Sequence, residues 1–227
     1  MTVKKYGIPC RNVVLYIKLL FVPTGSGGRE ITMDIEKTVK NLEMRGFAVK
    51  RFATGAGAAE YLANELRGKT VGIGGSRTVE EIGLYDMLDE KNVYWHWKNK
   101  APDTRRNAMT AQCYVSGANA ISEDGEIFNI DGTGNRVAGT LYGHEKVYIV
   151  SSVSKICRDF DSALFRARNT AAVRNCARFG LKTPCQTDGK CHDCRSPQRI
   201  CHALVVLWGP MGGMDTELVL IDEQFGM

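Results

Sequence analysis

The stretch Thr70-Val71-Gly72-Ile73-Gly74-Gly75-Ser76-Arg77-Thr78-Val79-Glu80-Glu81 decides how the rest of the chain is read. Thr70 to Ile73 is a short apolar run, which predicts a buried strand. Gly74-Gly75-Ser76 interrupts it, and Thr78 with Glu81 makes a capping box that predicts a helix over Val79–Leu88. Strand, glycine-rich turn and helix in that order form the unit of a parallel α/β sheet. The same alternation extends outward. Upstream, Ile35, Val39 and Leu42 share a helical face ended by Gly46, Phe47–Phe52 reads as a strand, and Ala56–Leu66 reads as a helix ended by Gly68. Downstream, strands are expected at Val93–Trp97, Tyr114–Ser116, Glu126–Ile130 and Lys146–Ser151, with helices at Thr104–Gln112 and Asp159–Phe179. The last apolar runs, Ala203–Trp208 and Glu217–Asp222, flank Gly209-Pro210-Met211-Gly212-Gly213 and predict a hairpin. The expected fold class is α/β, with a mainly parallel sheet flanked by helices.

Composition agrees. Of 227 residues, 44% are hydrophobic and 24% charged, which excludes a disordered chain, a collagen-like repeat and a coiled coil. The longest apolar stretch, Asn12 to Pro23, is about half a bilayer span and contains Lys18, so no membrane insertion is expected. Of the net charge of +5, Lys4, Lys5, Arg11, Lys18 and Arg29 against Glu30 place four charges in residues 1–32. The body is left nearly neutral, without the basic face that nucleic-acid binding requires. Residues 1–32 also lack a helical or strand period. Met33 is the expected true start of a single domain over 33–227, with 1–32 as a translated leader. A secretory signal is not expected, because no small-residue cleavage motif follows the apolar run.

Several motifs fail on inspection. Gly68-Lys69-Thr70 has Ala63 where a P-loop needs its first glycine, and it joins a helix to a strand in the wrong order. Gly72-Ile73-Gly74-Gly75 has Arg77 in place of the third glycine of a dinucleotide fingerprint. Cys191-His192-Asp193-Cys194 is followed by Arg195, not the His of a haem attachment site.

The cysteines are more informative. Cys185, Cys191, Cys194 and Cys201 form a C-x5-C-x2-C-x6-C array, while Cys10, Cys113, Cys157 and Cys176 are scattered. Scattered thiols in a chain without a signal predict a reducing, cytoplasmic setting, where a dense cluster is metal-binding more often than disulfide-bonded. Four thiolates can surround Zn²⁺ or hold a [4Fe–4S] cluster, and both remain open. Lys182, Lys190, Arg195 and Arg199 outweigh Asp188 and Asp193 here, which favours thiolates.

Two glycine-rich loops stand at predicted strand ends, where ligands of open α/β sheets lie. Gly74, Gly75 and Ser76 offer backbone N–H groups and a hydroxyl to an anion, with Arg77 and Glu81 nearby. The second loop, Asp131-Gly132-Thr133-Gly134-Asn135-Arg136, adds a carboxylate, an amide and a guanidinium, with Asn119 close upstream. A small anionic metabolite is the expected ligand, with Asp131 or Glu81 for proton transfer. Tight turns also use Asp, Asn and Gly for backbone reasons alone.

Read in order, four segments resemble the LUD-domain family, the lactate-utilisation proteins also called DUF162. They are Gly74-Gly75-Ser76-x-Thr78-x-x-Glu81-Ile82-Gly83-Leu84, Ser116-Gly117-x-Asn119-Ala120-Ile121-x-Glu123-Asp124-Gly125, Asn129-Ile130-Asp131-Gly132-x-Gly134-Asn135-Arg136-Val137-Ala138, and the array from Pro184-Cys185 to Ile200-Cys201. The resemblance spans about Met33 to Leu207. It implies a fold similar to the CoA-transferase and ribose-5-phosphate isomerase group, in which Gly74, Gly75 and Ser76 would meet an anionic substrate and Asp131 would supply a carboxylate. The Asp-Gly-Ala-Asp-Glu pattern of the isomerases is absent, since Thr133, Gly134 and Asn135 follow Gly132. The family also implies work beside iron–sulfur oxidoreductase subunits in oxidising L-lactate to pyruvate. The alternatives are a CoA-transferase- or isomerase-like enzyme with structural zinc, or a metabolite-sensing regulatory module. A homo-oligomer is compatible with each.

Overall fold

The computed structural model describes residues 33–226; the expectations for residues 1–32 lie outside the described residues. α1 (Ile35–Met44) is capped by Asp34, whose carboxylate accepts the Lys37 N–H, and the chain leaves it through Gly46 at φ +93°. β1 (Ala48–Phe52), α2 (Gly55–Glu65), β2 (Val71–Ile73), α3 (Arg77–Glu81), β3 (Val93–Trp95), α4 (Thr104–Ala108) and β4 (Cys113–Gly117) follow. Next come β5 (Ala120–Ser122), β6 (Ile127–Asp131), α5 (Asn135–Gly139), β7 (Lys146–Ser152) and β8 (Ile156–Cys157). The chain closes with α6 (Phe160–Arg166), α7 (Ala172–Arg178), α8 (Cys185–Asp188), β9 (Ala203–Leu207) and β10 (Asp215–Ile221).

Six strands form a wholly parallel sheet in the order β1-β10-β7-β4-β2-β3. Side chains alternate across it, as the period of two demands. Val71, Ile73, Val115, Tyr148, Val150, Val219 and Ile221 pack with Leu62 of α2 and with Leu66, its C-cap, in one core. Tyr114, Val147, Ile149, Leu218 and Leu220 pack with Leu42 of α1 and with Ile121 and Ile127 of a second sheet in the other. That second sheet, β8-β5-β6-β9, carries α6 over Ala120 and Phe128.

Three expectations need correction. The C-terminal runs do not pair as a hairpin: β9 lies antiparallel to β6 in the small sheet, and β10 lies between β1 and β7 in the large one. The reason is burial. Thr216 to Ile221 are buried on both faces, which only a central strand satisfies, whereas Ala203 and Leu204 are exposed. The helix after Gly75 is capped by Ser76, not by Thr78, and ends at Glu81 because Gly83 turns left-handed at φ +71°. The Asp159–Phe179 helix is continuous but widens into a π segment at Ala167–Ala171 between α6 and α7.

Candidate functional site

The strand ends bring four loops together. A cleft of about 170 Å³ opens beyond the carboxyl ends of β2, β4, β6 and β7, the position expected for a ligand. Its walls include Ser76 after β2, Asn119 after β4, Asp131 at the end of β6 and Lys155 after β7. α7 closes the far side with Asn175 and Arg178, beside Ile200 and Cys201. At this volume the cleft suits a small metabolite and is below the size of drug-sized ligand pockets.

Each predicted residue has a definite place. Ser76 is buried, and its hydroxyl oxygen accepts the Val79 N–H at 3.3 Å, leaving the hydroxyl proton to donate. α3 has only five residues, so its dipole adds little to anion binding. Gly75 lines the cleft beneath Trp97, whereas Gly74 stands behind it, where a Cβ would approach the Tyr114 hydroxyl and Arg136 Cγ at 3.0 Å. Gly132 is required by close approach, because a Cβ there would stand 2.7 Å from the Ile200 carbonyl. Gly134, at φ +89°, caps α5 and leads to Asn135, whose carbonyl accepts the Tyr114 hydroxyl at 3.1 Å.

Asp131 and Arg136 organise this loop. One carboxylate oxygen of Asp131 accepts the N–H groups of Thr133 and Gly134, both at 3.1 Å, and the other accepts Val137 N–H at 3.1 Å. Burial works to raise its pKa, but the Gly134 N–H, the Arg136 charge and the other backbone donors outweigh it and hold the carboxyl below its ordinary value. A carboxylate so stabilised is a weak base. Arg136 donates to the Gly117 and Ile130 carbonyls and to the side-chain oxygens of Asn129 and Asn119, and its Nε lies 3.9 Å from Asp131. It therefore supplies positive potential and ties β4 to β6. Asn119 is likewise engaged, its Oδ1 accepting Ile130 N–H at 2.7 Å. Glu81 is not part of the cleft: its carboxylate pairs with Arg77 at 3.0 Å and accepts the Gly226 N–H at 2.6 Å.

The cysteine array lies next door. Cys185, Cys191, Cys194 and Cys201 line a cavity of about 30 Å³ together with Cys176 of α7. The thiols carry hydrogen-bond partners: Cys185 meets the Thr183 hydroxyl at 3.2 Å, and Arg168 donates to Cys191 at 3.7 Å. Asp193 is, among the described residues, the one non-glycine with positive φ, +45°. Arg199 at 3.0 Å and Arg168 at 3.4 Å hold its carboxylate, and Arg199 also donates to the Cys194 and Cys201 carbonyls. Burial pushes the Cys201 thiol up, with the neighbouring Cys191 adding to the effect. Cys176 is pushed up to about 12, mainly by burial. As they stand, no three His, Cys, Asp or Glu side chains among the described residues form a group that could hold a metal ion. In kind the donor set fits a thiophilic metal, with four thiols and two guanidiniums on one cavity.

The sequence matches the LUD domain model over residues 35–221. The chain belongs to the LUD-domain family. No curated protein matches it. Among solved structures it is similar to a DUF162 family protein from Deinococcus radiodurans, at 13% sequence identity and a TM-score of 0.49, covering 82% of this chain and 94% of that one.

Sequence reasoning missed several groups that the LUD domain brings to the cleft. Arg178 stacks over Trp97 at 4.8 Å, and His96 stands nearby with its pKa lowered, chiefly by burial and then by Arg105 and Lys100. Neither is close to the glycine-rich loops in sequence, and no local signal marks them. Lys155 follows the end of a parallel strand, and that position was a usable signal. Cys176 continues the buried small-residue stripe of Ala163, Ala167 and Ala172, which reads as packing. Among the described residues no helix is long and apolar enough to cross a membrane.

Proposed function

We propose that this LUD-domain protein binds a small carboxylate in the cleft between Ser76 and the Asp131 loop, and that it works in the cytoplasm beside iron–sulfur oxidoreductase subunits in oxidising L-lactate to pyruvate. The observation that carries the reading is a shared wall. Ala172, Ile200 and Cys201 line both the anion cleft and the cysteine cavity, so a ligand and a metal centre would lie on either side of the same residues. Cationic lining supports the anionic ligand: Arg77, Arg136 and Arg178 face Asp131 as the one lining carboxylate. Cys185, Cys191, Cys194 and Cys201 would hold the metal. An iron–sulfur cluster there would supply one-electron transfer, whereas zinc would hold the segment together without redox chemistry. A metabolite-sensing module is the second reading, favoured by the structural engagement of both Asp131 and Glu81.

The test is anaerobic purification of the full chain, followed by an absorption spectrum, iron, sulfide and zinc analysis, and titration calorimetry with L-lactate and pyruvate. A brown protein with about four irons and four sulfides that binds either acid is the expected result. A colourless zinc protein that binds neither acid overturns the redox reading.

A further inference from the structure

Lys155 is the least explained group in the cleft. It is 4% exposed, yet it lines the cleft floor. Its Nζ donates to the Thr78 hydroxyl at 2.8 Å and to the Ala118 carbonyl at 3.3 Å, both neutral acceptors. No carboxylate among the described residues lies within ion-pair distance of it. A buried lysine whose task is to hold a protein carboxylate would have one; a lysine whose task is to hold an anion by charge must stay charged. Lys155 is placed to do neither. Burial, then Arg166 of α6 and Arg136 of α5, disfavour its charge and outweigh Glu81 of α3, bringing its pKa down to about 7. Near neutral pH much of it is a free amine, and a desolvated amine next to cationic groups is a nucleophile towards carbonyl carbon.

We propose that Lys155 is a covalent catalytic residue that forms an imine with the carbonyl of a small 2-oxo acid bound in the cleft. The inference rests on the carboxylate-binding reading above and adds the carbonyl as the group recognised. The Nζ lone pair attacks the carbonyl carbon, and the C=O π pair moves to oxygen, which takes a proton. Loss of that oxygen as water, with two hydrogens in all, leaves the C=N bond. Thr78, whose hydroxyl receives the Nζ hydrogen bond, is positioned to pass the proton. The Ser76 hydroxyl and the Arg178 guanidinium stand on the same walls for the carboxylate, with Arg136 adding positive potential.

The experiment incubates the full chain at neutral pH with pyruvate and cyanoborohydride, which reduces an imine to a stable secondary amine, and maps adducts by peptide mass spectrometry. Lys155 is expected to carry at least about ten times the adduct of exposed lysines such as Lys40 and Lys100, because a pKa lowered by several units raises the free-amine fraction at neutral pH by orders of magnitude. L-lactate, which has no carbonyl, should give none. Lys155→Arg, which keeps a cation but cannot form the imine, should lose the adduct. Equal labelling of Lys155 and the exposed lysines overturns the proposal without needing a folded variant. Pyruvate binding by calorimetry with no adduct overturns the covalent step and leaves the carboxylate site standing. Absence of binding by both acids together with absence of adduct overturns both.

Discussion

Replacing Asp131 by Asn separates an anchoring carboxylate from a proton-transfer one. In the native loop the carboxylate accepts three backbone N–H groups and sits 3.9 Å from Arg136 Nε, with both side chains about one-tenth exposed. An amide can keep the oxygen that serves Thr133 and Gly134, but its NH₂ then faces the Val137 N–H, donor against donor. Leaving that N–H unpaired costs about 1–3 kcal/mol. Removing the charge opposite a buried guanidinium costs about 3–5 kcal/mol where nothing else holds it. Arg136 keeps its four oxygen acceptors, so the lower end applies and the losses overlap, giving about 3 kcal/mol in all. For a domain of this size that is a fall of about 6–12 °C in Tm. The sign with pH follows from the depressed carboxyl pKa. The stabilisation is present above the ordinary carboxylate pKa and is lost as pH falls through the folded value, so wild type and Asp131→Asn should converge in acid. Thermal melting followed by circular dichroism at pH 7 and in a descending pH series reads both effects. A variant that melts within about 1 °C of wild type at pH 7 yet loses turnover would falsify the anchoring account and return Asp131 to proton transfer.

Three further outcomes are expected. Gly72→Ala should destabilise by about 3 kcal/mol or more, because its Cβ would collide with the Ala108 carbonyl and the Tyr114 ring; chemical denaturation with an unchanged midpoint would contradict this. Gly132→Ala should push the Ile200 carbonyl off the Asp131 loop. Faster hydrogen exchange across 199–202 with weaker ligand binding is the expected readout, and native protection there would refute the close approach. Lys155→Met should gain stability relative to wild type as pH falls from 9 to 6. The wild-type lysine has a pKa of about 7 folded against 10.5 unfolded; between these values the unfolded state binds more protons than the folded one, so the wild type loses stability as pH falls towards 7 while the Met variant does not. A difference in unfolding free energy that is flat with pH would show that Lys155 stays charged.

Much of the fold was legible locally. Asp34, Thr54 and Asp159 cap their helices with side-chain oxygens, and Gly46 and Gly68 take the left-handed turns that follow α1 and α2. These are properties of four or five adjacent residues, so the sequence alone determined them, along with the α/β alternation, the two glycine-rich loops and the cysteine spacing. The partners of a strand are another matter. Ala203–Leu207 and Asp215–Ile221 flank a glycine-rich turn yet enter different sheets, because burying both faces of β10 gains more apolar contact than a local hairpin can offer. The same separation decided the site. Ser76, Asp131, Lys155 and Cys201 are spread over 126 positions and meet only when the ends of β2 and β7 in the parallel sheet come up against the end of β6 and the start of β9 in the second sheet. Whether Glu81 faced the cleft, and whether Lys155 had an anionic partner, depended on packing between distant segments, to which local pattern carries no signal.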